Sequence, residues 1–347
     1  MSQGSGKPVR VAAFTGSRTI SSRRFRVKQY ISPLVNDGIQ LTEFVAPFGS
    51  WPPPQRVWRP AWFVASILSR LPSVTSSHGF DLTLLQREMI STLVTLEGLT
   101  RRPRVLDVDD AIWLNPRADK NFPKLARMCD GVICGNSFIA ENVGQWNSNV
   151  TVIPTAVDTD RFRPDSAAGP PMPIIGWSGL NAGFKYLLGI ESALVEVLKR
   201  RPEAVLRIVS DVKPRFRQLD ESRMEYIPWS PEAEVRTIQE MSLGLMPIDD
   251  SLWSRGKCSC KMLLYMACGV PVVVSPYGMN REILSLGNAG LQARDDSEWM
   301  NAITWILDHP KEGHEMGTTG RRIVEEQYSV RVSAPKMASF LKRFVGR

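Results

Sequence analysis

One stretch in the last third of the chain, Lys257 to Glu282, constrains the fold more than any other. Apolar residues from Met262 to Ala267 cover one broad face of a short buried helix. Gly269 predicts the end of that helix, because a left-handed position suits a residue without Cβ. The β-branched run Val270 to Val274 predicts a strand buried on both faces. This pattern is typical of a parallel α/β unit, and the loop after its strand lies where open α/β folds bind ligands. Asn280 is predicted to cap the next helix.

The same stretch resembles the donor-binding signature of the family 4 retaining glycosyltransferases, K-x-x-x-Y-M-A-x-G-x-P-V-V followed by a glycine-rich turn and a glutamate. The matching residues are Lys261, Tyr265 to Ala267, Gly269, Pro271 to Val273, Gly278 and Glu282. The resemblance implies an α/β protein of GT-B architecture, in which two Rossmann-like doubly wound parallel-sheet domains face an interdomain cleft. It also implies that the C-terminal domain binds a nucleoside-diphosphate sugar as donor.

A second run, Val152 to Pro164, resembles the V-I-P-N-G-V-D linker of the same family, although Thr155 and Ala156 replace the usual Asn and Gly. The segment Asp165 to Pro173 is rich in proline, glycine and alanine, which favours a domain boundary. We therefore predict an acceptor-side domain over residues 1–165 and a donor-binding domain over residues 166–328. By resemblance, the C-terminal helix within 329–347 crosses back to the first domain.

Length and composition agree with two soluble domains. The chain has 347 residues, of which 43% are hydrophobic and 22% charged. No apolar run reaches the roughly 18 to 20 residues of a membrane span, and the first residues lack the apolar core of a signal peptide, so we expect a cytoplasmic protein. The five cysteines include a C-x-C pair, but no second pair or histidine cluster completes a zinc site. We expect no metal and no other cofactor.

The first domain opens with a predicted strand, a small-residue loop and a predicted helix from Arg23 to Val35, which Ser21 and Ser22 are expected to cap. Gly16 is the one glycine where a dinucleotide fold needs three, so an NAD site is weakly supported. In the enzymes that the chain resembles, this loop faces the acceptor. Gly16, Arg23 and Arg24 are therefore the predicted acceptor-side residues.

The net charge of +8 lies mainly in the first 165 residues, which carry 20 basic and 14 acidic residues. Much of the excess is a cluster near the first loop, Arg18, Arg23, Arg24, Arg26 and Lys28. Such a cluster favours an anionic partner: a phosphorylated or lipid-linked acceptor, or a membrane surface. A solvated run of charges is the alternative, and no nucleic-acid partner is expected.

A proline-broken segment carries Trp51, Trp58 and Trp62 before a predicted helix from Phe63 to Leu71. Tryptophan beside arginine suits an anionic membrane interface, here with Arg56, Arg59 and Arg70 toward lipid. Aromatic packing within an insertion explains the composition equally well. The membrane interpretation predicts peripheral association with the inner face of the membrane.

Asp109 and Asp110 follow a predicted strand, at a place that resembles the His-Asp pair with which many family members reach the donor sugar. Asp109 occupies the histidine position. Burying both carboxylates unpaired would cost several kcal/mol, so we expect them to face a cleft. They are the predicted catalytic residues, which would orient sugar hydroxyls or contact an acceptor; the alternative is a helix cap before Ala111. A helix is predicted just upstream, from Glu88 to Leu99.

The predicted donor site combines a small-residue loop with cations. Gly179 lies between a predicted strand and a long helix to Arg200, an arrangement that suits a pyrophosphate. The family's E-x7-E motif would place its glutamates at Gly256 and Leu264, where this chain has none. We expect three cations, Arg255, Lys257 and Lys261, to neutralise a leaving diphosphate without a metal ion. The predicted donor-binding residues are Gly179, Arg255, Lys257, Lys261, Gly278 and Glu282.

We therefore expect a hexosyltransferase-like enzyme of polysaccharide biosynthesis that moves a sugar with retention onto a cell-surface glycan or lipid-linked acceptor. No carboxylate pair suited to double displacement stands out, which favours front-face transfer. Because both motif glutamates are missing, a catalytically degenerate GT-B scaffold that binds a partner is the alternative.

Overall fold

The computed structural model describes residues 7–18, 20–165 and 172–346. The chain divides into two compact units that interleave in sequence. The first comprises Met1–Ala156, Gly256–Cys258 and Val330–Arg347, and the second comprises Val157–Arg255 and Ser259–Ser329. Of the predicted boundary segment, residues 166–171 lie outside the described residues.

The first unit is built on a six-stranded parallel sheet. Its strands are β1 (Val9–Thr15), β2 (Ile39–Val45), β3 (Leu82–Gln86), β4 (Arg104–Val108), β5 (Gly131–Cys134) and β6 (Val150–Val152). Their order across the sheet is β2-β1-β3-β4-β5-β6. Strands β3, β4 and β5 are buried at every residue, as expected for parallel strands covered on both faces.

Five helices precede the last strand of this unit in the part of the chain that the structure describes. They are α1 (Ser21–Arg26), α2 (Ile31–Asn36), α3 (Arg59–Ser77), α4 (Ala118–Met128) and α5 (Ser137–Val143). The single helix predicted from Arg23 to Val35 is wrong, because the chain leaves helical geometry at Val27. Pro33 lies in the first turn of α2, where its missing N–H needs no partner. The predicted serine cap is also wrong, since Ile20 precedes α1 and Ser21 is its first residue.

The helix predicted from Glu88 to Leu99 does not form. The side chain of Glu97 accepts hydrogen bonds from the backbone N–H groups of Met89 and Thr95, and Glu88 accepts one from Thr92. These carboxylates take backbone donors that a helix would use, and they stabilise an irregular loop instead.

Helix α3 is longer than the predicted Phe63 to Leu71, and it begins with Pro60 in its first turn. Arg70 points inward and donates to the carbonyl oxygens of Phe44 at 2.7 Å and Thr15 at 2.5 Å. The prediction that Arg70 faces lipid is therefore wrong, and burial lowers its pKa to about 10. Among the described residues, no helix combines the length and the apolar character that crossing a bilayer requires.

The second unit has its own six-stranded parallel sheet. Its strands are β7 (Ile174–Ser178), β8 (Val205–Ser210), β9 (Met224–Pro228), β10 (Leu243–Met246), β11 (Val272–Val274) and β12 (Gly290–Gln292). The order is β12-β11-β10-β7-β8-β9. Two parallel α/β sheets of this kind confirm the predicted fold class.

Eight helices pack with the second sheet in the part of the chain that the structure describes. They are α6 (Phe184–Leu188), α7 (Glu191–Arg200), α8 (Glu234–Gln239), α9 (Leu252–Arg255), α10 (Cys260–Ala267), α11 (Met279–Leu284), α12 (Asp296–Asp308) and α13 (Pro310–Ile323). The long helix predicted up to Arg200 is interrupted at Gly189, where α6 ends. The signature helix and strand form as α10 and β11, each within two residues of its predicted bounds.

The last helix, α14 (Val330–Lys342), belongs to the first unit. Its buried residues Met337, Phe340 and Leu341 share one apolar core with Tyr30 and Leu34. Residues far apart in sequence therefore complete the core of the first unit.

A fully buried ion pair lies inside the first unit. The guanidinium of Arg26 donates to both carboxylate oxygens of Asp107, at 3.0 and 2.7 Å, and also to the carbonyl oxygen of Ile153 at 2.8 Å. Neither charged side chain is exposed to solvent. Arg26 therefore does not belong to a surface cation cluster, contrary to the sequence prediction, and it joins α1, β4 and the end of β6.

We expect Arg26→Met to lower the free energy of unfolding by about 3 to 5 kcal/mol, because Asp107 would remain buried without its cation. The double variant Arg26→Met/Asp107→Leu should recover most of that loss. Urea unfolding measures both. Arg200→Met removes an exposed pair with Glu196 and serves as the control, with an expected loss under about 0.5 kcal/mol. A double variant no more stable than Arg26→Met would contradict the account.

Candidate functional site

The signature helix α10 is held in the second unit by Tyr265. The Tyr265 hydroxyl accepts a hydrogen bond from the backbone N–H of Ser178 at 2.7 Å, at the carboxyl end of β7. Its ring lies against Gly244 of β10, where an added Cβ would come within 2.4 Å of ring atoms. Helix α10 is therefore fixed against two neighbouring strands.

Lys261 and the glycines of the β7 loop come together around a buried tryptophan. The ammonium of Lys261 lies 5.2 Å from the centre of the Trp177 ring. A Cβ added to Gly179 would lie 2.8 Å from that ring and 3.2 Å from Cδ of Lys261, and one added to Gly183 would lie 3.7 Å from the Lys261 ammonium. The absence of side chains at both glycines leaves room for the lysine. Gly179 and Lys261, two of the predicted donor residues, thus lie side by side.

The remaining predicted donor residues are dispersed. Arg255 is exposed and forms an ion pair with Asp250 at 3.0 Å. Gly278 lies against the Arg255 backbone, where an added Cβ would be 3.0 Å from Cα, and its φ of +50° favours glycine. Glu282 is exposed on α11, and Lys257 belongs to the first unit. The structure therefore does not gather all three predicted cations at one point of the second unit.

Asn280 has a different role from the predicted helix cap. Gly278 precedes α11, and Asn280 is buried within the helix. Its side chain accepts a hydrogen bond from the Ser259 hydroxyl at 2.6 Å and donates to the carbonyl oxygens of Met246 and Ser275. It thereby ties together the loops at the carboxyl ends of β10 and β11. Ser259, which precedes α10, has a φ of +49°, a backbone conformation that is seldom kept without such support.

A second polar network that sequence analysis missed follows β10. The hydroxyls of Ser251 and Ser254 donate to the carboxylate of Asp249, and the Tyr186 hydroxyl lies 3.0 Å from that of Ser254. Burial would raise the pKa of Asp249, but these hydrogen bonds and the charge of Lys185 lower it overall. Asp249 is therefore held in its charged form and is linked to Tyr186 of α6 through Ser254.

Asp109 and Asp110 share one cation in the first unit. Arg87 donates from Nε to Asp109 at 2.7 Å and from a terminal nitrogen to Asp110. The three side chains are partly buried, with exposed fractions between 12% and 25%. Arg87 therefore compensates one of the two negative charges, and neither carboxylate caps the turn at Ile112–Leu114, which has no side-chain cap.

Arg87 was missed by the sequence analysis. It directly follows β3, which pairs with β4, so it reaches the same sheet edge as the two aspartates. It has a φ of +62°, a strained conformation for arginine that the ion pairs help to hold. A cation just after the neighbouring strand was the available signal, but it is informative only when the strand order is known.

Residues Gly256–Cys258 explain why the first motif glutamate is missing. A Cβ at Gly256 would lie 2.5 Å from Cβ of Ala111 and 2.8 Å from its backbone nitrogen. The thiol of Cys258 donates to the carbonyl oxygen of Asp109 at 3.1 Å, and burial raises its pKa well above the ordinary value. There is no space for a glutamate at Gly256. At the second motif position, Leu264 is buried.

The predicted acceptor-side residues are packed and paired. A Cβ at Gly16 would meet Ile20 at 2.8 Å. Arg23 forms a 2.6 Å ion pair with Glu43, and the guanidinium of Arg24 lies 4.3 Å from the centre of the Phe25 ring. The charge of Arg23 is thus compensated within the protein.

Asp107 and Asp109 are two residues apart in sequence, but the carboxylate of Asp107 is already bound in the buried ion pair with Arg26. Within the described residues, no three His, Cys, Asp or Glu side chains are grouped so that they could hold a metal ion. All five cysteines are free thiols.

Part of the chain matches a family model, and the whole fold matches solved structures. Residues 174–309, which contain the β7 loop and α10, match the family model described as Glycosyl transferases group 1. Sucrose-phosphate synthase from Thermosynechococcus elongatus has the same fold, with a TM-score of 0.70, 14% identity, and coverage of 96% of this chain and 98% of that chain. The chain therefore has the GT-B fold.

Two further structures share the GT-B fold. HepE from Anabaena, crystallised with UDP-glucose, has a TM-score of 0.67 and 15% identity, with 97% of this chain and 100% of that chain covered. WaaG, a glycosyltransferase involved in lipopolysaccharide biosynthesis, has a TM-score of 0.67 and 13% identity, with 95% and 98% covered. No curated protein has a sequence match to this chain. The resemblance seen in the sequence is confirmed for the GT-B fold, whereas family 4 membership stays a prediction.

The close packing of Gly256 against Ala111 predicts that a larger residue at this position destabilises the protein. Gly256→Ala should lower the free energy of unfolding by about 1 to 3 kcal/mol, because the new methyl group would overlap the Ala111 backbone. Gly98→Ala is the matched control, since its Cβ would meet only Met128 at 3.7 Å, and it should change stability by less than about 0.5 kcal/mol. Equal stability of the two variants in thermal unfolding would show that Gly256 is not constrained.

Proposed function

We propose that this protein is a glycosyltransferase that uses a nucleoside-diphosphate sugar as donor. The observation that carries the proposal is the position of Lys261 beside Gly179 and Gly183, at the carboxyl end of β7 in the segment matched by the family model. The carboxyl ends of strands are where open parallel sheets bind ligands. The UDP-glucose in the HepE structure supports the same donor class.

The proposed chemistry needs a cation at the leaving diphosphate. As the glycosidic bond to the nucleotide breaks, negative charge develops on the phosphate oxygens, and Lys261 would stabilise it. Gly179 and Gly183 present no side chains there, which allows phosphate oxygens close approach to the backbone. We propose that no metal is needed.

We propose that transfer retains the anomeric configuration and takes place on the front face of the sugar, with the departing phosphate accepting the acceptor proton. Asp109 and Asp110 are already bound to Arg87, which suits them to hydrogen bonding with hydroxyl groups better than to nucleophilic attack. In this proposal they orient sugar hydroxyls, and Arg87 positions them.

For the acceptor, we propose a glycan or a lipid-linked sugar, as in polysaccharide biosynthesis. The role of WaaG in lipopolysaccharide biosynthesis supports this class. The cytoplasmic location and the association with the inner face of a membrane remain predictions.

A degenerate GT-B scaffold is the second candidate, because the E-x7-E glutamates are absent and Gly256 has no space for one. A turnover assay separates the two. The protein is incubated with a panel of nucleoside-diphosphate sugars and with lipid and glycan extracts, and released nucleoside diphosphate is measured. A transferase consumes one donor and yields a product with the donor's anomeric configuration, seen by NMR. A folded protein that consumes none is a scaffold.

We expect Lys261→Ala to weaken nucleoside-diphosphate binding by about 1.5 to 3 kcal/mol, the scale of a hydrogen bond to a charged group. Calorimetric titration measures the change. Lys199→Ala removes an exposed lysine from the end of α7 and should leave the affinity unchanged. If the folded Lys261→Ala protein binds as tightly as the wild type, Lys261 does not contact the diphosphate.

Turnover should survive EDTA, because the proposed counter-charge to the diphosphate comes from a lysine side chain. The assay compares initial rates before and after chelation. Loss of activity with EDTA and its recovery with Mn²⁺ or Mg²⁺ would show that a metal ion, and not the lysine, supplies most of that charge.

A further inference from the structure

Three of the four buried residues of helix α3 are polar, and large apolar residues are exposed on its other side. Ser66, Arg70 and Ser77 are at most 4% exposed and face the first unit. Val64, Leu68 and Leu71, spaced four and three residues apart, form a stripe on the opposite side and are 40% to 58% exposed. This is the reverse of the arrangement on an ordinary surface helix.

The apolar stripe continues onto the turn before the helix. Val57 is 78% exposed and Trp58 is 63% exposed, both in the short helical turn Arg56–Trp58, and Trp51 precedes them at 58%. Trp62 is not included in this surface, because its indole N–H is bound within the protein to the Phe48 carbonyl oxygen at 3.0 Å. We call Trp51, Val57, Trp58, Val64, Leu68 and Leu71 the apolar face. So many exposed large apolar side chains between residues 51 and 71 indicate a contact with another body.

The charge around the apolar face indicates which body that is. No Asp or Glu occurs between Phe44 and Phe80, whereas Arg56 and Arg59 are exposed beside Trp58. Arg59 donates to the carbonyl oxygen of Pro53 at 3.0 Å and so fixes the proline turn. A self-complementary contact between two copies would bring these arginines together without a carboxylate to pair them. An anionic surface compensates them.

We propose that the apolar face docks the first unit on a bilayer of anionic phospholipid, with α3 lying in the plane of the interface. Trp51 and Trp58 would lie at headgroup depth, Val64, Leu68 and Leu71 would enter the acyl boundary, and Arg56 and Arg59 would face phosphates. The inward side chains remain in the protein, where Arg70 is bound to backbone carbonyl groups.

The test is cosedimentation of the full chain with phosphatidylcholine vesicles and with vesicles that also contain phosphatidylglycerol, across a salt series. It needs no nucleotide or sugar, so its outcome is separate from that of the proposed transfer. We expect the protein to pellet with the anionic vesicles and not with the neutral ones, and the binding to fall as salt screens the charges.

Two matched pairs of variants identify the surface. Val64→Ser/Leu68→Ser should weaken binding at least about tenfold, the effect of keeping two apolar side chains partly in water. Val35→Ser/Leu99→Ser changes two residues of equal exposure elsewhere in the unit, 60% and 59%, and should have no effect.

For the charges, Arg56→Gln should weaken binding about fivefold and the exposed Arg127→Gln should not. Circular dichroism establishes that each variant is folded. Negligible pelleting of the wild type with both vesicle types would overturn the proposal, as would equal losses in the test and control variants. Dimerisation without vesicles, abolished by Val64→Ser/Leu68→Ser, would instead make the face an interface between copies.

Discussion

The side chain of Tyr265 supports the candidate site of the second unit. Its hydroxyl holds the backbone of Ser178 at the start of the β7 loop, and its ring occupies the space that Gly244 leaves on β10. Burial raises the pKa of this phenol, so it stays neutral and remains a hydrogen-bond partner at any physiological pH. Lys261 lies one helical turn before Tyr265, and anchoring of α10 therefore positions the lysine beside Trp177. The proposed diphosphate site depends on this packing rather than on the missing glutamates.

In the first unit, three arginines form ion pairs with acidic side chains. Arg87 binds Asp109 and Asp110, Arg26 binds Asp107, and Arg23 binds Glu43. Arg23 and Arg26, two of the cations that suggested an anionic partner, are therefore paired within the protein. The exposed arginines beside the apolar face of α3 are the ones that the proposed membrane contact uses. The proposed donor site thus belongs to the second unit and the proposed membrane contact to the first.

Local patterns predicted much of this fold. Helix α10, strand β11 and the glycine that ends the helix depend on residues close in sequence, and they formed within two residues of their predicted positions. The Glu88 to Leu99 helix failed because carboxylates captured the backbone donors, a competition that periodicity does not reveal. Arg26 and Arg87 were beyond reach for another reason, since their partners lie 81 and 22 or 23 residues away and meet them only through the strand order. For the candidate site, the motif identified Lys261 and the small-residue loop after a strand identified Gly179, whereas the place of Lys257 in the first unit required the structure.

The most direct test of the central claim is thermal unfolding of the full chain with each nucleoside diphosphate in turn. A ligand at a hundred times its dissociation constant stabilises the folded state by about 2.7 kcal/mol. The account predicts that at least one nucleoside diphosphate raises the melting temperature of the wild type and has a much smaller effect on Lys261→Ala. No stabilisation by any nucleoside diphosphate, or equal stabilisation of both proteins, would contradict it.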